Sequence, residues 1–540
     1  MPLHRPSYAR RRLLQGLTAA GALALVRPSR SDDASAAQCR SAVAAQPLHQ
    51  PGASGFLGRL RMSGAPLVLR AGAAGTLPEG IAHGPLAFHA ERAGKSFLNP
   101  TLVVRSGEPF RVVLENDLDA PTIVHWHGLT VDTRNDGGGM PLVAPRGRYE
   151  YGFEVRNRGA LYWYHPHPHG LTAGQVYDGL FGLLEVEDDD TIALRRELDL
   201  TPGSTEITLV LQDRRATGRY ARSAEDAVHG VFGDALYVNG ATCAQTDVGT
   251  RLYRLRILNA CNARTLLLGL RTASGTAVPF DVIGNDGGLL PAPVRAQSAF
   301  LATAERLDVL VDLRDASVGE TVVLETRAFD PMHAEIRLPA SAGAGDAHAA
   351  HQQGSDEHAA HRTAAWPEGA PRDILRLRVR ERVAYDRRVP ARLSTLQPVD
   401  VTNAQERPLR LGYKSGQWRI NDRVFVMGET PIEVARDTTE VWLLRNYFTS
   451  MPHAMHLHGF GFEVAERETS PDPVKALAID AKGRLPSDLG RKDTVLVWPG
   501  ESVRVAIRFA LPFDGPQTYL FHCHNLEHED GGMMLAVKVG

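Results

Sequence analysis

Four His-x-His units, two near each end of the 540-residue chain, constrain its folding more than any other feature. His125-Trp126-His127-Gly128 and Tyr164-His165-Pro166-His167 stand early. His456-Leu457-His458-Gly459 and Phe521-His522-Cys523-His524 stand at the close. On a β-strand, residues i and i+2 face the same way, so both imidazoles of a unit can reach one centre. Packing alone does not explain such an arrangement. It requires the first and last thirds of the chain to close on each other.

The chain between these units reads as short strands. Phe110-Arg111-Val112-Val113-Leu114, Ile207-Thr208-Leu209-Val210-Leu211 and Val503-Arg504-Val505-Ala506-Ile507 are β-rich runs bounded by Gly, Pro and Asp turns. The 51 glycines and 34 prolines favour many turns over long helices. One phrase recurs in each third: Gly107 to Asn116, Gly249 to Asn259 and Asp437 to Asn446. Each is a turn residue, an alternating strand and a closing Asn, which predicts three copies of one β-sandwich. The middle third lacks a His pair and is expected to space the other two.

The expected organisation is an export signal over 1–36, sandwiches over 52–190, 195–339 and 372–540, and a linker over 340–371 with few large apolar residues. The signal reading rests on Arg10-Arg11-Arg12 before Leu13-Leu14, a short apolar run ending at Val26, and Ala34-Ser35-Ala36 as a cleavage site. The apolar run is too short to span a bilayer. The paired arginines resemble a twin-arginine signal, although Ala9 stands where that pattern has Ser or Thr. The expected location is periplasmic or secreted, after cleavage near Ala36, with no membrane partner. Sixty Lys and Arg against 62 Asp and Glu leave no basic excess for nucleic acid.

The C-terminal run adds His528 and Met533 to His522-Cys523-His524. A thiolate, an imidazole and a thioether at this spacing form the ligand set of a blue copper site, a trigonal His2Cys centre with a weak axial Met. Its second histidine is expected to be His453. Strand alternation turns Cys523 one way and its two neighbours the other. One metal on Cys523 is then joined to a second site by a few covalent bonds.

These motifs resemble those of the three-domain multicopper oxidases of the laccase type, from about residue 65 to the C-terminus. The resemblance implies an all-β chain of three cupredoxin-like Greek-key β-sandwiches and four copper ions. It implies that His453, Cys523, His528 and Met533 hold the type 1 copper, and His125 and His456 the type 2. One type 3 copper takes His127, His165 and His524; the other takes His167, His458 and His522. Asp136 and Glu529 match the family's proton-donating carboxylates. The implied reaction takes electrons singly from phenolic or other aromatic donors, at the exposed edge of His528 or His453, and reduces O2 to water. His169 is not a ligand in the resemblance, and Met534 reads as core.

Alternatives within reach of the same residues are a cuprous oxidase active in periplasmic copper tolerance and a non-enzymatic copper sequestration protein. Met332 is the one Met between residues 330 and 420, so a Met-rich insertion for Cu(I) is not evident. A copper nitrite reductase would leave the type 3 histidines without work. His348, His351, His358 and His361 form two His-Ala-Ala-His units, read as a solvated linker or a loose copper site. Cys243 and Cys261 are expected either to pair or to remain buried thiols, with the pairing narrowly favoured.

Overall fold

The three Asn-closed phrases become three strands in equivalent places. They are Pro109–Asn116, Leu252–Asn259 and Thr439–Asn446. Each is flanked on both sides within its sheet, by one parallel and one antiparallel neighbour. In Pro109–Asn116 alternation buries Phe110, Val112 and Leu114 while Arg111 stays exposed. The closing Asn has the same task each time. Asn116 donates through Nδ2 to the Ala120 and Val143 carbonyls, Asn259 to those of Arg264 and Leu301, and Asn446 to those of Met451 and Val497. One side chain thereby fixes the loop that follows, and in the second and third units it ties that loop to a strand of the facing sheet, Ser298–Leu301 and Thr494–Val497. In the outer units that loop leads into the strands carrying His125 and His453.

The computed structural model describes residues 45–138, 141–216, 218–333 and 366–540. The expected export signal and His348, His351, His358 and His361 lie outside the described residues. Six sheets form three cupredoxin-type sandwiches, each with its own apolar core. In the first, the inner sheet runs Arg59–Arg61, Thr101–Arg105, Gly182–Glu187, Ala160–Pro166, Val124–His127. In the third it runs Ile432–Val434, Met534–Val539, Gln517–Cys523, His453–Leu457, Thr494–Val497. No helix among the described residues is long and apolar enough to cross a membrane.

Two expectations are corrected. Arg372–Glu381, assigned from sequence to the third sandwich, pairs with Thr321–Thr326 and Ala244–Gly249 and completes the second. Gln46–Pro47 joins the same sheet from the N-terminal side. An alternating strand advertises a buried face but not which sheet edge receives it. Likewise, Cys243 is disulfide-bonded, but Cys261 is a free buried thiol, 3.7 Å from the Leu211 carbonyl. The Cys243–Cys261 bridge does not form: Cys243 is bonded elsewhere, and Cys261 stays a buried thiol.

The sandwiches join through buried polar contacts. Tyr519 donates to the Val131 carbonyl at 2.6 Å, and Asp530 accepts from the Thr172 and Ala173 amides at 3.0 Å. Both contacts link the first unit to the third. Glu527 accepts from Asn262 Nδ2 at 2.8 Å, linking the third to the second.

Candidate metal centre

Val124–His127 pairs antiparallel with Ala160–Pro166, placing His125 opposite His165. His453–Leu457 pairs with Gln517–Cys523, placing His456 opposite His522. The two strand pairs meet face to face across the domain boundary. His125 stacks on His458 with ring centroids 3.7 Å apart, and His127 on His456 at 3.8 Å. His165, His167, His522 and His524 complete the cage, and all eight rings are buried.

Hydrogen bonds set which nitrogen of each ring is left over. His125 Nδ1 donates to the Asp136 carbonyl at 2.7 Å, His456 Nδ1 to the Asp493 carbonyl at 2.8 Å, and His165 Nδ1 to the Pro166 carbonyl at 2.8 Å. His458 Nδ1 donates to Asp136 Oδ2 at 2.8 Å and His127 Nε2 to Asp493 Oδ1 at 3.1 Å. Each opposite nitrogen then carries a lone pair. His125 Nε2, His127 Nδ1, His165 Nε2 and His456 Nε2 are buried without a hydrogen-bond partner. The Nε2 atoms of His458 and His167 lie 3.0 and 3.4 Å from that of His522. Lone pairs aimed at one another in a dry cage are costly unless cations sit among them. The donor set fits bound copper, for which neutral imidazole is a good ligand.

Burial keeps seven of these rings neutral. It pushes His125, His127, His456, His458 and His524 well below the ordinary histidine range, His165 to about 3 and His167 to about 4. Neutral imidazole is the form that ligates metal.

Two carboxylates back the cage where the sequence placed them. Asp136 ends the short helix Thr133–Asp136 and accepts from His458; burial pushes its carboxyl well up. Glu529, on the helix Leu526–Asp530, lies 3.3 Å from both His167 Nε2 and His522 Nδ1. Burial opposes its ionisation, but the imidazoles of His167 and His522 outweigh burial and hold it at about 2.

The second constellation is His453, Cys523 and His528. Cys523 Sγ lies 3.5 Å from His453 Nδ1 and 3.6 Å from His528 Nδ1. Met533 is fully buried, and its carbonyl accepts from the Cys523 amide at 3.0 Å. Burial pushes the Cys523 thiol up to about 12, so a thiolate here needs a cation beside it. The exposed histidine edge expected for electron entry is not found. His453 is 0% and His528 1% exposed. His453 Nε2 pairs with Ser450 Oγ at 3.1 Å, and His528 Nε2 donates to the Val228 carbonyl at 2.8 Å. Val228 lies in the helix Asp226–His229, and Trp418 packs against both imidazoles.

Sequence reading missed three participants. Asp493 orients one histidine from each outer sandwich, through its side chain and its carbonyl. Arg306 of the middle sandwich grips the Asp493 carboxylate through Nη1 at 2.9 Å and Nη2 at 2.5 Å. The middle unit is therefore more than a spacer. Trp163 lies in ring contact with His127, His165 and His524. Trp163 stands inside the His-containing strand and was readable by its alternation; Arg306 and Asp493 bear no mark of spacing.

A family model described as "Multicopper oxidase" matches residues 394–540, and another with the same description matches residues 92–191. The chain is 30% identical over 464 residues to a laccase of Bacillus subtilis, covering 78% of this chain and 80% of that protein. It is 27% identical over 450 residues to the multicopper oxidase mco of Staphylococcus aureus, covering 82% of each. Among solved structures, the McoA multicopper oxidase of Aquifex aeolicus superposes with a TM-score of 0.77 at 31% identity, covering 92% of this chain and 100% of that one.

Proposed function

The chain belongs to the multicopper oxidase family, and on that premise we propose that it oxidises small phenolic or related aromatic donors one electron at a time and reduces O2 to water. Four copper ions would supply the one-electron steps, three of them close enough to deliver electrons to O2 together. His453, Cys523, His528 and Met533 are assigned to the type 1 copper, and His125 and His456 to type 2. His127, His165 and His524 are assigned to one type 3 copper, and His167, His458 and His522 to the other. The observation that carries the reading is the meeting of unpaired imidazole nitrogens across the domain boundary, which gives a metal cage rather than a hydrogen-bonded core.

The chain's own residues do the rest. Cys523 is joined through one peptide unit on either side to His522 and His524, so electrons leaving the sulfur have a covalent route to the cage. Asp136, whose carboxyl burial keeps protonated, accepts from His458 and is suited to donating a proton as O–O is split. Glu529, ionised and 3.3 Å from His167 and His522, is suited to taking up and passing on a proton. Complete burial of the eight rings keeps bulk water out of the cage.

The test is oxygen uptake with visible and EPR spectra on copper-loaded protein. An intense charge-transfer band from Cys523, a coupled type 3 pair and O2 uptake driven by 2,6-dimethoxyphenol are expected. Loaded protein that binds copper without consuming O2 would be a sequestration protein. A second reading, oxidation of Cu(I), draws on the burial of His528, since a metal-ion donor needs no aromatic pocket. Rapid uptake with Cu(I) and negligible uptake with the phenol would select it. We further propose that the protein works outside the cytoplasm; the disulfide at Cys243 suits an oxidising compartment.

A further inference from the structure

Resting on the phenol-oxidase reading, we propose that donors dock at Tyr413 and that their electrons enter through Trp418, not through a histidine edge. The outward nitrogens of both type 1 histidines are already engaged, by Ser450 and by the Val228 carbonyl. A phenol cannot hydrogen-bond to either without displacing protein. Trp418 occupies the position such a donor would take. Its ring centroid lies 4.6 Å from that of His453 and 5.1 Å from that of His528. Its Nε1–H donates at 2.8 Å to the same Val228 carbonyl that receives His528 Nε2. Trp418 and His528 are thus joined through one acceptor as well as by ring contact.

Trp418 is 3% exposed and cannot itself meet a donor. Tyr413 can. The two are direct cross-strand partners in the hairpin of Gln405–Lys414 and Gln417–Ile420. Their rings meet edge to face with centroids 4.9 Å apart, and Tyr413 is half-buried. The hairpin turns at Ser415 and Gly416, both at positive φ, so its geometry is tightly specified. Surface, Tyr413, Trp418 and the two imidazoles form one unbroken line of aromatic rings. In each passage the phenol gives one electron inward and its hydroxyl proton to water, leaving as a phenoxyl radical. Four such losses match the four electrons that O2 accepts in forming two waters.

The test is anaerobic stopped-flow bleaching of the Cys523 charge-transfer band by 2,6-dimethoxyphenol in copper-loaded Trp418→Leu and Tyr413→Leu. With visible spectrum, type 1 EPR and reduction potential unchanged, bleaching should slow by about tenfold or more, while reoxidation by O2 keeps its wild-type rate. Where Trp418→Leu disturbs the type 1 spectrum, Trp418→Phe and the peripheral Tyr413→Leu carry the test. Ligand-observed NMR on the fully reduced, anaerobic holoenzyme reads docking directly, and Tyr413→Leu should weaken phenol binding about threefold or more. Bleaching within twofold of wild type in spectroscopically intact variants overturns the relay alone. A wild-type protein that the phenol does not bleach removes both the relay and the substrate reading.

Discussion

His127, in the first sandwich, donates through Nε2 to the carboxylate of Asp493, in the third, at 3.1 Å. The same Asp493 accepts at its carbonyl from His456 Nδ1, and its carboxylate is gripped by Arg306 from the second sandwich. The geometry of two facing imidazoles therefore depends on all three units. Lys492 beside it is paired with Asp286 at 2.9 Å and Glu305 at 3.1 Å, both from the second sandwich. The boundary behind the cage combines these buried ion pairs with an apolar cluster in which Leu267, Phe300 and Ala302 meet Ala454, Leu496 and Trp498.

Replacing Arg306 by Met should leave Asp493 buried without its cation and cost about 3–5 kcal/mol of stability. Urea unfolding measures this. Copper analysis of the folded fraction should show loss at the histidine cage with the Cys523 band retained. Full loading of both sites would refute an orienting role for Arg306.

Glu529→Gln and Asp136→Asn keep the shape of each side chain but remove a proton-accepting carboxylate and a proton-donating carboxyl, respectively. Each is expected to lower O2 turnover by about 10- to 100-fold without altering the Cys523 band. Single-turnover reduction under argon should be unchanged, because that half-reaction needs no proton delivery to O2. A matching fall in both halves would place these carboxylates elsewhere in the mechanism.

Acid should weaken the joint between the first and second sandwiches. Glu185 and Glu206 are buried with Arg195, Arg254 and Arg256. Burial opposes their ionised forms, but the arginines outweigh it, and both carboxyls sit below the ordinary range. Their stabilisation is complete above the unfolded value of about 4.3 and is lost as pH falls through the lower folded values. Thermal unfolding of wild type and Glu185→Gln should therefore differ most near neutral pH. The difference should shrink progressively below about pH 4. A gap independent of pH would mean the carboxylate charge contributes nothing.

Asn446→Ala removes the clasp between the Met451 and Val497 carbonyls and leaves both buried. The expected cost is about 1–3 kcal/mol, together with a shifted Cys523 band, because the clasp fixes the loop leading to His453. Asn259→Ala should cost a similar amount yet leave that band alone. Calorimetry paired with visible spectra on the two variants checks both halves, and an identical spectral response would argue against local control.

The β-sandwich class and the threefold repeat were legible because each is written in local spacing, and the twelve proposed copper ligands follow from the resemblance that the His-x-His and Cys523 motifs carry. Alternation along a strand puts His522 and His524 on one face and Cys523 on the other wherever that strand is placed, and the closing Asn of each phrase marks its own turn. Even Asp136 and Glu529 travelled with the motifs beside them. The tertiary structure alone decided which sheet takes Arg372–Glu381, that Cys261 stays unpaired, that Arg306 reaches Asp493, and that Val228 and Trp418 close over His528. These outcomes join residues far apart in the chain, and an arginine, a backbone carbonyl or an indole carries the same letter whether it is solvated or buried. Their roles follow from desolvation, which exists only once the three sandwiches have packed.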